Sequence, residues 1–203
     1  RIPAEAVLIP PVSHGYSPHH MDFPGTITIG WETFTHYVRD VCTSLAQHGF
    51  TRILIVNGHG SNTPLVEMAA RLTVLASDGR CLCASVNHWQ VAKSRAAGKA
   101  LREGDFGSMS HACEYETSLY LALRPELVEM DKAVDEMSPL PPSFQTDLIA
   151  GKRPDASAAT LMPFWSSMTQ SGVRGRATLA TREKGEAWLE AAIGGLIDLV
   201  REL

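Results

Sequence analysis

The segment Ile53-Leu54-Ile55-Val56 is apolar without a break and mostly β-branched. A surface helix places its apolar residues three or four apart, so a short solid run bounded by polar residues fits a strand covered on both faces, as in a parallel sheet. Arg52–Asn57 is therefore predicted as a strand. A turn follows at once, Gly58-His59-Gly60-Ser61-Asn62. Thr63 and Pro64 then make a good N-cap and first-turn pair, opening a helix to about Ala76. Cys81–Val86 is predicted as the next strand. Upstream, Phe34, Val38, Leu45 and Ala46 give residues 31–48 a helical spacing that Gly49 is placed to stop. Ala6–Pro10 reads as a further buried strand and Thr26–Ile29 as another short one. Strands alternating with helices specify an α/β fold with a mostly parallel sheet.

Beyond this core, His111–Leu123 is predicted helical and ends before Pro125. Five prolines between Pro139 and Pro163 break any regular element, and so long an irregular segment serves function or an oligomer contact. Thr181–Leu203 is predicted as a final helix with Leu189, Ile193, Leu196, Ile197 and Val200 as its apolar stripe. Gly194 and Gly195 weaken that helix, so packing must hold it. With 203 residues the chain has room for one domain with a real core, and no second domain is indicated.

A formal net charge of -4 gives no reason to expect nucleic acid or an anionic membrane as partner. No apolar run approaches a membrane span, and no basic stretch leads into a signal-type apolar core. The four cysteines form no C-x-x-C, which fits buried, reduced thiols and a cytoplasmic location. The chain opens on Arg1 and runs straight into a strand-like segment, so residues are expected to precede it.

Three stretches carry candidate chemistry. His59 sits just past the carboxyl end of a strand, where open α/β sheets bind ligands. Its flanking glycines permit tight turning, and the helix that follows offers free N–H groups to an anion or developing oxyanion. In Ser110-His111-Ala112-Cys113-Glu114-Tyr115-Glu116-Thr117-Ser118, one His and two Glu lie within six residues. His with carboxylate suits Zn²⁺, Mn²⁺ or Fe²⁺, and equally suits acid-base work. On a regular helix His111 and Glu116 would point about 140° apart and would not bind one atom together. The third stretch is the loop Pro11–Thr26, with His14, His19 and His20 among Pro and Gly. No P-loop, dinucleotide fingerprint or G-x-S-x-G elbow is present. Ser61 lies between strand and helix, and Cys113 two residues from His111 is a weak nucleophile candidate.

Taken in order, Phe23-Pro24-Gly25-Thr26, Asn57–Asn62, His111–Ser118 and Gly172-Val173-Arg174-Gly175 with Ala180–Gly185 resemble the motifs of the creatininase family. The resemblance spans nearly the whole chain. It implies a three-layer α/β/α fold with a mostly parallel central sheet. It also implies an amidohydrolase that opens cyclic amides or removes formyl groups using two divalent metals, Zn, Mn or Fe. By the same resemblance His59 ligates the first metal and Glu116 the second, and His111 moves the proton to the leaving nitrogen or from the attacking water. Ser17 and His20 line the substrate pocket, and Gly60, Ser61 and Asn62 shape its floor. Homo-oligomers, hexamers among them, and a small-molecule substrate are the partners implied.

Two departures matter. Creatinine-hydrolysing members carry Glu where this chain has Ser61, which argues against creatinine itself. Family members also have an earlier stretch that supplies a Glu, a His and a bridging Asp, and no such stretch precedes Phe23 here. Three of five metal ligands are thus unaccounted for. The alternative to an enzyme completed elsewhere in the polypeptide is a relative without activity that binds a ligand or assembles with partners.

Overall fold

The computed structural model describes residues 1–3, 5–152 and 160–203. The chain gathers into two compact units. One comprises Arg1–His88 with Leu196–Leu203, the other Trp89–Gly195.

In the first unit helix α1 (Trp31–Gln47) leads to strand β1 (Arg52–Asn57), helix α2 (Thr63–Ala76) and strand β2 (Leu82–Asn87). The strands pair in parallel from Arg52↔Leu82 to Asn57↔Asn87. Side chains two apart share one face of a strand, so Ile53 and Ile55 face the same way. They pack with Phe34, Val38 and Cys42, a stripe spaced by four along α1, and with Val66 and Ala69 of α2. Each such apolar side chain, fully buried, stabilises the fold by roughly 1.5–3 kcal/mol. Coverage on both faces was expected for β1, but Val56 is 50% exposed. Two other expectations fail. Ala6–Pro10 is not a strand, and Leu8 is 97% exposed, because an apolar run becomes a strand only when a neighbour pairs with it. Thr26–Ile29 is also irregular, tied to the preceding loop by the Ile29 N–H donating to Gly15 O. Asn62, not Thr63, holds the N-cap position of α2, and Pro64 sits in the first turn as predicted.

In the second unit helix α3 (Ala92–Leu101) is followed by strand β3 (Met109–His111), helix α4 (Glu114–Leu123) and three two-residue strands. These are β4 (Asp135–Glu136), β5 (Thr146–Asp147) and β6 (Gly151–Lys152). Strand β7 (Arg174–Arg176) and helix α5 (Arg182–Glu202) complete the order. β7 lies between β3 and β4, antiparallel to both, and β5 pairs with β6. The core joins Trp89, Met109, Cys113, Tyr115, Ile149 and Trp188. The helix expected from His111 starts only at Glu114, since His111 pairs into β3 and Ala112 adopts φ 46°, which ends any helical path. The Pro-rich segment was expected to hold no regular element, but after Pro142 it forms the short β5–β6 pair, held by Asp147, which accepts from both Arg102 Nη1 and Nη2, the latter at 2.9 Å. Its remainder over residues 153–159, Pro154 included, lies outside the described residues.

Glu114 explains how the closing motif holds α4. It is fully buried and accepts the Glu103 and Gly104 N–H groups and the Lys184 Nζ, the last at 2.7 Å. Gly185 lies so close that an added Cβ would stand 1.8 Å from Ser118 O, so no larger residue fits. Removing one partner of a buried ion pair costs about 3–5 kcal/mol because the other charge is stranded. Lys184→Met is therefore expected to lower the melting temperature by roughly 10 °C for a chain of this length. Adding Glu114→Gln should restore most of that loss, and an unchanged melting temperature in the single variant would show that the pair is not a clamp.

No helix among the described residues is long and apolar enough to cross a membrane.

Candidate functional site

β1 ends in Asn57, whose amide braces the turn after it. Its Nδ2 donates to His59 O at 2.7 Å, and its Oδ1 accepts the His59 N–H at 3.2 Å. The same Nδ2 donates to Oδ1 of Asn87, its register partner at the end of β2, and Thr63 Oγ1 donates to that atom as well. Matched asparagines at two strand ends thus fix the His59 backbone. The strand predicted from the sequence ends at Val86, one residue short of Asn87, and so does not contain this pair.

The upstream loop is tied to the same turn. Asn62 does not cap α2 with its side chain; its Oδ1 instead accepts the Tyr16 N–H at 2.9 Å. A Cβ at Gly15 would stand 2.8 Å from that oxygen, so the close approach requires glycine. Ser17 N donates to Thr28 Oγ1 at 2.8 Å, which ties the Ser17 backbone to the next loop segment. That hydroxyl lies 2.6 Å from His20 Nδ1 and 3.5 Å from His59 Nε2. The rings of His20 and His59 are 5.7 Å apart. A cleft of about 320 Å³ opens here, lined by His14, Gly15, Ser17, Thr26, His59 and Asn62 among others. His20 is buried beside it, and Ser61, also buried, hydrogen-bonds His19 Nε2 at 3.2 Å. Gly60 opens the short turn between His59 and α2 and does not line the cleft.

Burial holds His59 below the ordinary imidazole value. Burial does the same to His19, helped by His59 and opposed by Asp22. A neutral imidazole keeps a lone pair for a metal or a proton.

In the second unit His111 closes β3, with its ring 4.9 Å from that of Trp165 and tilted 73° to it. Glu116 lies in the first turn of α4, and its Oε2 accepts the Ala112 N–H at 2.6 Å. Burial raises its pKa to about 7 against the opposing effect of that N–H. Cys113 is fully buried, and burial together with the Glu116 charge pushes its thiol up to about 12, so it is no nucleophile at neutral pH.

Glu116 yields a pH prediction for the metal-free chain. A carboxyl raised in the folded state stabilises that state below its unfolded pKa of 4.5, and the contribution is lost as pH rises through about 7. The residue keeps some accessible surface, so the loss is at most about 3 kcal/mol. Metal-free chain should therefore melt lower at pH 8 than at pH 5, with Glu116→Gln flattening the difference. Equal slopes for the two proteins would disprove the assignment.

Among the described residues no three His, Cys, Asp or Glu side chains are gathered as around a metal ion. His59 in the first unit and Glu116 in the second are each of a residue type that holds divalent metals.

The Creatininase family model, described as creatinine amidohydrolase, matches residues 1–200. The chain belongs to the creatininase family of amidohydrolases. It is 31% identical to a creatinine amidohydrolase of Pseudomonas putida, over 97% of this chain and 75% of that protein. It is 29% identical to a 3-dehydro-scyllo-inosose hydrolase of Thermotoga maritima, over 95% of this chain and 64% of that protein. A mycofactocin precursor peptide peptidase of Mycolicibacterium smegmatis is 28% identical over 97% of this chain. Among solved structures, a creatinine amidohydrolase superposes with TM-score 0.75 at 27% identity, covering 98% of this chain and 76% of that one. A Zn-Zn type creatininase mutant superposes with TM-score 0.67 at 31% identity, covering 89% and 67%. The fold is the three-layer α/β/α creatininase type. The chain spans about two thirds to three quarters of the length of these creatininase-family relatives.

Proposed function

We propose that this protein hydrolyses a non-peptide C–N bond in a small cyclic amide, formamide or ureido-type substrate with the help of two divalent metals. The observation that carries this reading is His59, held neutral at the carboxyl end of β1 with the Ser17 hydroxyl beside it in a cleft. Relatives with Zn-Zn and Mn forms of creatininase support the metal class. His59 and Glu116 are the donors this chain contributes. The shortfall of donors, together with the greater length of the relatives, supports a further ligand-bearing segment of the same polypeptide.

Amides resist water because the amine is a poor leaving group and neutral water a poor nucleophile. Bound metals of this class lower the pKa of water toward about 7 and polarise a carbonyl. The chain's own residues do the rest. Asn57 and Asn87 hold His59 in place. Ser17 and Asn62 give the cleft polar contacts for an amide, and His20 fixes the Ser17 hydroxyl. His111 carries the proton to the departing nitrogen.

Relatives named for creatinine, an inosose and a peptide precursor differ in substrate, so the choice rests on the cleft. Ser61 in place of Glu argues against creatinine, and a deformylase-like activity on a nucleotide precursor falls within the proposed class. We also place the protein in the cytoplasm as a homo-oligomer.

The test is metal content, intact mass and hydrolysis of a panel of cyclic amides, formamides and ureides by the full gene product. About two divalent metals per chain and activity lost on chelation and restored by Zn²⁺ or Mn²⁺ support the reading. Activity that survives chelation and is lost in Ser61→Ala would replace it with serine chemistry on the Ser61–His19 pair. No metal and no turnover would leave a ligand-binding or assembly role.

A further inference from the structure

Among the described residues of the second unit, two cations that reach the interior have carboxylate partners. Arg102 pairs with Asp147 through both Nη atoms, and Lys184 pairs with Glu114. Arg174, the first residue of β7, is only 6% exposed, yet no carboxylate of the described residues pairs with it. Its Nη1 meets Met168 Sδ, a weak acceptor, at 3.7 Å. Its Nε is buried without a hydrogen-bond partner among the described residues, and the Nε of Arg176 is in the same condition. Burial pulls Arg174 below the usual arginine value, as expected for a charge without a counter-ion. A buried charge with nothing to match it is costly, and a guanidinium cannot escape by losing its proton at neutral pH.

Its position gives the vacancy in its hydrogen bonding a use. The guanidinium carbon stands 5.0 Å from the centre of the Trp165 ring. The His111 ring stands 4.9 Å from the same indole, and Arg174 is the register partner of His111 across β3 and β7. Trp165 is itself fixed by its Nε1–H donating to Gly172 O at 2.9 Å. One aromatic side chain thus orients both the proton-transfer candidate and a cation whose donors are not used up. Nε–H and an Nη–H form the planar fork that matches a carboxylate.

We propose that Arg174 is a subsite for a carboxylate on the substrate, so that the hydrolysed amide belongs to a small anionic molecule with its carboxylate close to the reacting C–N bond. This deepens the proposed amidohydrolase reading and rests on it for the reaction, though not for the binding. The Trp165 face shields the ion pair from water and so strengthens it.

The experiment uses the full-length, metal-loaded protein with N-formylglycine and its uncharged analogue N-formylglycinamide. Hydrolysis gives kcat/KM for each, and thermal melting with each compound and with inorganic phosphate gives binding without turnover. A charge-assisted hydrogen-bond pair predicts a preference of about 10- to 100-fold for the carboxylate compound. That ratio should fall toward one in Arg174→Met, and in part in Arg174→Lys, which keeps the charge and loses the fork. N-formylglycine should raise the melting temperature of the wild type and not of Arg174→Met, and the Lys variant decides if the Met variant fails to fold. Equal kcat/KM for the two compounds with no melting shift would overturn the subsite. A larger shift with phosphate than with N-formylglycine would overturn the carboxylate assignment. An Arg174-dependent shift with no hydrolysis of either compound would leave the subsite standing and count against the amidohydrolase reading.

Discussion

In full-length protein, His59→Ala is expected to remove most of the bound divalent metal and to lower kcat/KM by at least about 10³-fold. The scale follows from what the residue touches. Loss of a partner that merely orients a metal ligand costs 10- to 100-fold in affinity or activity, and loss of a ligand itself should exceed that. His59 has the properties a ligand needs. Burial keeps its imidazole neutral, so no proton has to leave before a metal binds. Asn57 fixes its backbone from both sides, so little order is lost on binding. Elemental analysis of wild type and variant beside steady-state kinetics checks the result. Full metal content with reduced activity would recast His59 as a substrate contact, in keeping with its place in the cleft wall. Unchanged values of both would remove it from the site.

How far the sequence disclosed this arrangement depends on which force sets each element. β1 and α2 were legible because their signals are local: an unbroken β-branched run, then Pro64 in a first turn. α1 was legible because Phe34, Val38 and Cys42 fall on one stripe. Ala6–Pro10 misled because an apolar run states a wish for burial and not the identity of its neighbour, and Leu8 stays exposed. His111 misled for a related reason. Its three residues have no strong propensity against helix, and what takes them out of α4 is the distant β7 together with the positive φ of Ala112. The motifs named the candidate residues of each unit, yet they could not show the supports. Asn57 with Asn87, His19 with Ser61, and Glu114 with Lys184 are pairs separated by 30, 42 and 70 positions. Long-range polar pairs leave no periodicity. Arg174 is the sharpest instance: it lies inside the Gly172–Gly175 motif, but only its buried Nε, without a hydrogen-bond partner among the described residues, marks it.

The position of His111 outside α4 shapes the second large effect. His111→Gln is expected to lower kcat by 10²- to 10⁴-fold, the range for a positioned proton-transfer group, with metal content unchanged. As the last residue of β3, His111 is not part of the α4 backbone, so its replacement leaves the Glu116 carboxylate and its Ala112 N–H bond in place. Glutamine keeps a hydrogen-bonding amide of similar reach against Trp165 and removes only the titration. The limb of the pH–rate profile belonging to the proton donor should therefore vanish in the variant. Substrates with better leaving groups, such as activated anilides, should be hurt less, because they need less help from an acid. Three measurements on one variant then separate the possible roles. A loss of metal would make His111 a ligand. A rise in KM with kcat intact would make it a substrate contact. A fall in kcat that shrinks as the leaving group improves is the signature of the acid, and a fall of the same size for every leaving group would refute that role.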